Sequence, residues 1–431
     1  MGVLVKYQFV IFLLCFICTV SRHALLEGWA MALPHVHSDL HFSTTWIGAI
    51  DMLFLFMYAL GNMIAGAIGD SYSRVLVVSL GLIVSSGFWG IVWILIMSSI
   101  DQPPIYLIFF GIMGCLQGGI YPGTVVIMGN WFAKESRGKI LGIWSSCAAV
   151  GNILGSQFSA AAMSLGFSWK EYLIVLIANL CLVGCIFWVF AKDSAGVNPN
   201  IPKKKRISAI QALKIPKVIP YALTFSCLKM LNYGLLMWLP YFLKTDQDLR
   251  EEIVAALTGL FDIGGVIGSV TLGWISDKYL DRVITAMIAC LIPIPGLGIF
   301  RSITPDVYWM FFIVIPILGF ALGGGTAFIS AVVAADLGQD QADQPEESKS
   351  TIAGIMDGAG GFGAGLGQII IGGLQNISWS AVFIYMIFVG CLALFSISPL
   401  VVKYIRKRKT EKLVELDDKQ ENSIQVSLSV D

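Results

Sequence analysis

Apolar residues in this chain come in long unbroken runs joined by short polar connections, not in the alternating or one-faced patterns of soluble strands and helices. A bilayer core about 30 Å thick needs roughly 20 predominantly apolar residues per helix. On that criterion the pattern predicts twelve helices, over 7–33, 46–69, 75–98, 104–131, 138–164, 170–191, 217–243, 252–276, 282–300, 306–335, 350–374 and 378–402. The runs from Gly111 and from Pro316 are rich in Gly and Pro, and there a straight helix and a broken one are both open. The first run is longer than a signal-peptide core and carries Arg22 and Glu27, so it is expected to stay as the first helix.

Composition agrees with this reading. With 56% hydrophobic residues, 13% charged residues and a mean hydropathy of +0.78, the 431-residue chain has more apolar surface than a water-soluble core of that length hides, so lipid is its expected solvent. Lys plus Arg and Asp plus Glu both number 28, and a net charge of zero gives no sign of a nucleic-acid partner. The nine cysteines fall almost wholly inside apolar runs, where small polarizable side chains pack, so no disulfide framework is expected. Cys15 and Cys18 form a C-x-x-C with no second ligand pair near it, and neither a metal nor a cofactor is expected.

The placement of the cations sets an orientation, because the cytoplasmic side of a membrane protein collects Lys and Arg. With the N-terminus cytoplasmic, that side receives 22 of them and the other side only Lys170, Lys244, Arg250 and Arg301. Both termini are therefore expected in the cytoplasm. The acceptor sequence at Asn376 to Ser378 lies on the opposite side, in a loop too short to favour glycosylation. A linker from 192 to 216, with a Lys-Lys-Lys-Arg run, divides the chain into a half at 1–191 and a half at 217–402, and 403–431 reads as a disordered cytoplasmic tail.

The two halves repeat. Arg22 precedes Asp70 by 48 residues and Lys229 precedes Asp277 by 48, and in the same register Gly61 and Gly66 fall on Gly268 and Gly273. A second register, offset by 212, sets Gly142, Gly151 and Gly155 on Gly354, Gly363 and Gly367. Parallel repeats of six helices surround a midplane substrate site in carriers of the major facilitator architecture. An all-α membrane protein of twelve helices in two pseudo-symmetric halves is the expected fold.

Arg22 and Lys229 are the two cations left inside predicted helices, and both lie deep, about 15 and 12 residues in. A lone charge at the bilayer centre costs on the order of 2.5–3.5 kcal/mol even on the mildest scale, so such residues face a cavity or a partner. An internal ion pair with Glu27, Asp262 or Asp357 is one reading; facing cations across a central cavity is the other, and the equivalent repeat positions favour it. Two facing cations suit a dianion such as a phosphate monoester, with Arg as a fork and Lys as a mobile point charge. Tyr233 lies one turn beyond Lys229 on the same face and Asn232 three residues on, and either is placed to hydrogen-bond the rest of a ligand. His23 and Glu27, at i and i+4, share a face, where the two are expected to bond to each other, with a proton relay as the other reading. Asp262 and Asp357 read as buried carboxylates that need partners or protons, and Asp51, near an outer helix end, as a solvated one. No nucleophile and base pair, metal cluster or phosphate loop appears, so an enzyme is not expected. A proton-coupled carrier of another organic anion, with the proton on Glu27, Asp262 or Asp357, and a non-transporting membrane sensor with the 403–431 tail as its output are the alternatives left open.

Gly66-Ala-Ile-Gly-Asp70 with Arg74, and Gly273-Trp-Ile-Ser-Asp277 with Arg282, resemble the cytoplasmic loop motif of the major facilitator superfamily, once per half. The stretches MGNWFAKESRGKILGIWSSCAAVGNILGS (128–156), FDIGGVIG (261–268) and GIMDGAGGFGAGLGQ (354–368) resemble the eukaryotic sugar-phosphate exchangers of the organophosphate:phosphate antiporter family, over nearly the whole chain. The resemblance implies exchange of a phosphorylated small molecule, such as glycerol 3-phosphate or glucose 6-phosphate, for inorganic phosphate. The protein is expected to work as a monomer, in an endomembrane more than the plasma membrane. The resemblance matches Arg22 and Lys229 to the family's first-helix arginine and seventh-helix basic residue, keeps Tyr58, and assigns Asp70, Arg74, Asp277 and Arg282 to gating. The chain departs from bacterial relatives at Asn62, Ala148 and Asn232, where they carry lysine, histidine and arginine, and from the eukaryotic pattern at His23, where lysine is usual.

Overall fold

The computed structural model describes residues 2–68, 73–132, 140–194, 211, 213–330 and 347–428, and the regular secondary structure of these residues is all helical, with no strand among them. In chain order the helices are α1 (Gly2–Leu40), α2 (Thr44–Ile68), α3 (Arg74–Met97), α4 (Pro103–Gln117), α5 (Ile120–Trp131), α6 (Cys147–Ser164), α7 (Trp169–Phe190), α8 (Val218–Thr245), α9 (Glu251–Lys278), α10 (Arg282–Leu291), α11 (Pro293–Ser302), α12 (Phe311–Phe328), α13 (Glu347–Gln375) and α14 (Trp379–Leu428). Ten spans among the described residues are long and apolar enough to cross a membrane; the Gly- and Ser-rich α6 and the Gly-rich α13 pack against them as the fifth and eleventh predicted helices. Asp70 and most of the 192–216 linker lie outside the described residues.

Local chemistry explains where the helices start and break. Ser73 accepts from the Leu76 amide at the start of α3, Asp281 accepts from Val283 at the start of α10, and Ser168 with Glu171 makes a reciprocal capping box on α7. The fourth predicted helix is broken at Gly118 and Gly119 into α4 and α5, and the ninth at Ile292, where Pro293 opens α11. Pro316, in contrast, lies inside a continuous α12, and the irregular piece of that span is the 3-10 turn Pro305–Met310 before it. Backbone helix continues through the tail to Leu428, where composition predicted disorder.

Most glycines of the two registers mark helix crossings of the structure, while Gly142, Gly273 and Gly354 have open space at a Cβ position. A Cβ on Gly61 or Gly114 of the first half would run into the backbone carbonyls of Cys115 and Phe54, where α2 crosses α4. In the second half Gly268 and Gly319 make the same approach to Phe320 and Phe261, where α9 crosses α12. The other register does likewise: Gly151 and Gly155 of α6 lie on the Val20 and Ala24 carbonyls of α1, and Gly363 of α13 lies on Ser226 of α8. Backbones approach this closely only where one residue has no side chain. The repeat therefore encodes the same pair of crossings twice, which is what makes the halves pseudo-symmetric.

Between the halves, α2 packs on α13, α6 on α9 and α1 on α8. These contacts begin at the end of the bundle that carries the 40–44 and 376–378 connections, called the far end below, and run to mid-depth. Thr44 and Gly48 of α2 meet Gly372 and Gln368 of α13, Phe56 stacks on Phe362 at 5.3 Å, and Ala59 meets Gly361. Past that level the partners part: Gly354 and Gly358 of α13 have no neighbour within 4 Å of a Cβ position, and Gly61 turns to α4. Among the described residues the bundle is thus closed at the far end and open toward the end that carries the termini.

Candidate functional site

The deepest polar side chains gather where the closed part of the interface ends. Arg22 of α1 is 7% exposed, its guanidinium carbon 5.1 Å from the centre of the Tyr58 ring on α2, and its Nε is buried without a partner. Lys229 of α8 is half-buried, with Nζ 5.2 Å from the Phe225 ring centre and 6.0 Å from that of Tyr233. Its aliphatic stem lies against Gly360 of α13, where a Cβ would come within 2.6 Å. Tyr58 lies within electrostatic reach of Arg22 and, from the other half, of Lys229. Aromatic faces hold both cations by cation–π attraction while leaving N–H donors, Arg22 Nε among them, for a ligand.

Neither cation forms an ion pair with a carboxylate among the described residues, so the internal salt bridge open from the sequence is not made. Arg22 donates from Nη2 to His23 Nε2 at 2.6 Å. A guanidinium only donates, so Nε2 accepts and the His23 proton sits on Nδ1. Nδ1 then donates to Oδ1 of Asn152 on α6 at 3.2 Å, and Asn152 Nδ2 donates to Oδ1 of Asp262 on α9 at 2.9 Å. The result is a directed relay from the Arg22 cation to the Asp262 carboxylate that crosses from one half to the other. Each link is buried or half-buried, where low dielectric strengthens such chains.

Several expectations are corrected here. His23 does not bond to Glu27, because both ring nitrogens are engaged by Arg22 and Asn152. Asp357 is exposed rather than buried, facing the open side, and Asp51 is buried rather than solvated, with Oδ2 unpartnered. Asn232 is half-buried with Oδ1 unpartnered, and Gly323 of α12 lies beside it. Of the four gating residues, Asp277 and Arg282 approach to 3.8 Å within one half, Arg74 opens α3, and Asp70 lies outside the described residues.

Sequence reasoning missed the contacts that close the far end. Thr44 Oγ1 is 2.8 Å from the Gly372 carbonyl and 2.8 Å from Asn376 Oδ1, and Asn376 Nδ2 donates to Thr45 at 2.7 Å. Glu251 of α9 lies 3.6 Å from His35 of α1 and 3.0 Å from Lys244 of α8, so one carboxylate ties both halves. A Thr and a Glu at helix starts read as ordinary caps, and nothing in the linear pattern links positions that far apart.

Two pseudo-symmetric helical halves around a polar centre, closed at one end and open at the other, define a membrane carrier. The chain belongs to the Major Facilitator Superfamily, whose profile matches residues 12–344, a family of transporters and not of enzymes. Sugar phosphate exchanger 3 of Xenopus laevis is 30% identical over 86% of this chain and 83% of its own length. The Homo sapiens protein of that name is 30% identical over 88% and 84%. An Arabidopsis thaliana protein named as a candidate glycerol-3-phosphate transporter is 30% identical over 90% and 79%. Among solved structures, an inward-facing, unoccupied bacterial homologue of the lysosomal transporter Spinster superposes with a TM-score of 0.72 at 16% identity, covering 91% of this chain and 96% of that one. A nucleoside transporter does so with 0.72 at 14%, covering 90% and 99%. At such identities the superpositions speak for the fold alone.

Proposed function

We propose that this protein exchanges a phosphorylated small molecule, a sugar phosphate or glycerol 3-phosphate, for inorganic phosphate by alternating access. The observation that carries the reading is that Arg22, held over Tyr58, and Lys229, held by Phe225 and Tyr233, stand one in each half within electrostatic reach of the same phenol, and neither pairs with a carboxylate among the described residues. A dianion between them neutralises both, and the fork of Arg22 fits two phosphate oxygens. Tyr233, Tyr58 and Asn232, whose Oδ1 is buried without a donor, supply hydrogen bonds to the organic part. His23 orients Arg22 through the relay. The relatives named as sugar phosphate exchangers support the same cargo class.

In the mechanism, the halves rock about the site. The far end closes through Thr44, Asn376, His35 and Glu251 in the present state, and the opposite end closes through the loop motifs of Asp70, Arg74, Asp277 and Arg282. The end rich in Lys and Arg faces the cytoplasm, with both termini, in an endomembrane, and one chain suffices. Exchange rather than free uniport follows because an empty, occluded site buries two poorly compensated cations, whereas a loaded one is near neutral. The test is uptake of labelled sugar phosphate into liposomes loaded with phosphate. Uptake that requires internal phosphate is expected; uptake indifferent to it contradicts exchange.

A further inference from the structure

Glu27 of α1 takes no part in the relay. It is 2% exposed, its Oε1 is buried without a hydrogen bond, and among the described residues no hydrogen bond or ion pair reaches it. The ionisable groups around it offer no compensation. Asp262 of α9 is the charged group it senses, a second carboxylate whose Oδ2 is also buried without a partner. Tyr172 of α7 spends its hydroxyl on the Gly28 carbonyl at 3.0 Å. On α1 itself, Arg22 donates to His23 and lies against Tyr58, and His23 is engaged by Asn152, so neither bonds to Glu27. From α8, Lys229 and Tyr233 lie with Phe225 and Tyr58 instead, and from α5 Tyr121 is near Tyr58. From α2, Asp51 is placed against Trp29. An ionised carboxylate stripped of water, with no donor and beside a second carboxylate, is not a stable occupant of such a site.

Position adds the second half of the case. Glu27 lies more than one helical turn from Arg22 toward the far end, on the helix that α6 joins to α9: Gly155 of α6 contacts Ala24 of α1 within the first half, and a Cβ on Gly259 of α9 would lie within 4 Å of Ile153 and Gln157 of α6 across the halves. The α6–α9 seam is what must separate when the far end opens, since α1 and α6 belong to one half. Water from the far side then reaches Glu27, and a hydrated carboxylate has no need of a proton.

We propose that Glu27 is a proton-binding site coupled to closure of the far end: it takes one proton from far-side water as the halves close and returns it to the same side when they part. The proton forms an O–H bond on the Glu27 carboxylate and reverts to water on opening, so no other reactant is needed. The device rests on the alternating-access reading but not on the cargo. Acid on the far side therefore holds the far end shut, while acid on the other side does not act through Glu27.

The test is infrared difference spectroscopy of the full chain in lipid without cargo, following the carbonyl stretch of a protonated carboxylic acid. The wild type and Asp262→Asn are expected to show a band that Glu27→Gln lacks. A band that survives Glu27→Gln and disappears in Asp262→Asn places the proton on Asp262 and overturns the proposal, as does a wild type with no band. A second measurement guards against a misfolded variant. Spin labels at Trp46→Cys and Ile377→Cys, exposed positions on opposite halves, report far-end separation. Acidifying by one pH unit is expected to raise the closed to open ratio up to tenfold in the wild type and to leave Glu27→Gln unchanged. Equal responses in both proteins overturn the proposal. Failure of phosphate exchange in liposomes would strike the cargo reading and leave both measurements standing.

Discussion

Replacing Thr44 by Val should open the far end. Thr44 is fully buried at the start of α2, and its hydroxyl lies 2.8 Å from both the Gly372 carbonyl and Asn376 Oδ1 on the opposite half. One proton serves two acceptors, so the contribution counts as about one hydrogen bond, worth roughly 1 kcal/mol net. Valine keeps the shape and removes the donor, leaving a buried carbonyl short of its partner, which adds on the order of 1 kcal/mol. A sum of about 1–2 kcal/mol corresponds to a change of about 5–30-fold in the closed to open ratio. The assay is the distance distribution between labels at Trp46→Cys and Ile377→Cys, after exposed Cys185 and Cys391 are replaced. The long-distance population should grow by that factor. An unchanged distribution, or a shift to shorter distances, would refute the assignment of Thr44 to closure.

Other outcomes follow from the same geometry. Gly268→Val drives a side chain into the Phe320 backbone where α9 crosses α12, so it should lower thermal stability by an amount typical of overpacking, about 1–3 kcal/mol, and Gly61→Val should match it, since the repeat places it at the equivalent crossing. A thermal melt in which one is tolerated and the other is not contradicts the equivalence. Asn152→Leu removes both the acceptor for His23 and the donor for Asp262; two unsatisfied groups at about 1–3 kcal/mol each should weaken anion binding through loss of Arg22 orientation, seen as a raised Kd. Glu251→Gln cuts the one carboxylate that bridges His35 and Lys244; with both partners partly exposed, the effect should stay near 1 kcal/mol and shrink in high salt.

Much of this architecture is legible in the linear pattern. The length of each apolar run marks a helix, and the glycine registers at 61, 151 and 155 with their counterparts at 268, 363 and 367 mark the crossings, because a missing side chain leaves a trace in the sequence. Arg22 and Lys229 stand out for the same reason, being charges where lipid-spanning helices tolerate few. What lies hidden are pairings across the halves. That His23 turns to Asn152 instead of Glu27, one turn away, depends on how closely Gly151 brings α6 onto α1. Asp51 and Asp357 exchange their expected surroundings because depth in a bundle follows from packing and from which end is open, and hydropathy records neither.

The central claim is that Arg22 and Lys229 grip one anion. A double-mutant cycle on phosphate-ester binding by calorimetry, with Arg22→Ala, Lys229→Ala and the pair, tests it directly. If both contact the same dianion, each single change should nearly abolish binding and the double change should cost less than the sum, with a coupling of about 0.5–3 kcal/mol. Strictly additive losses, or a single variant that binds as well as the wild type, would contradict it.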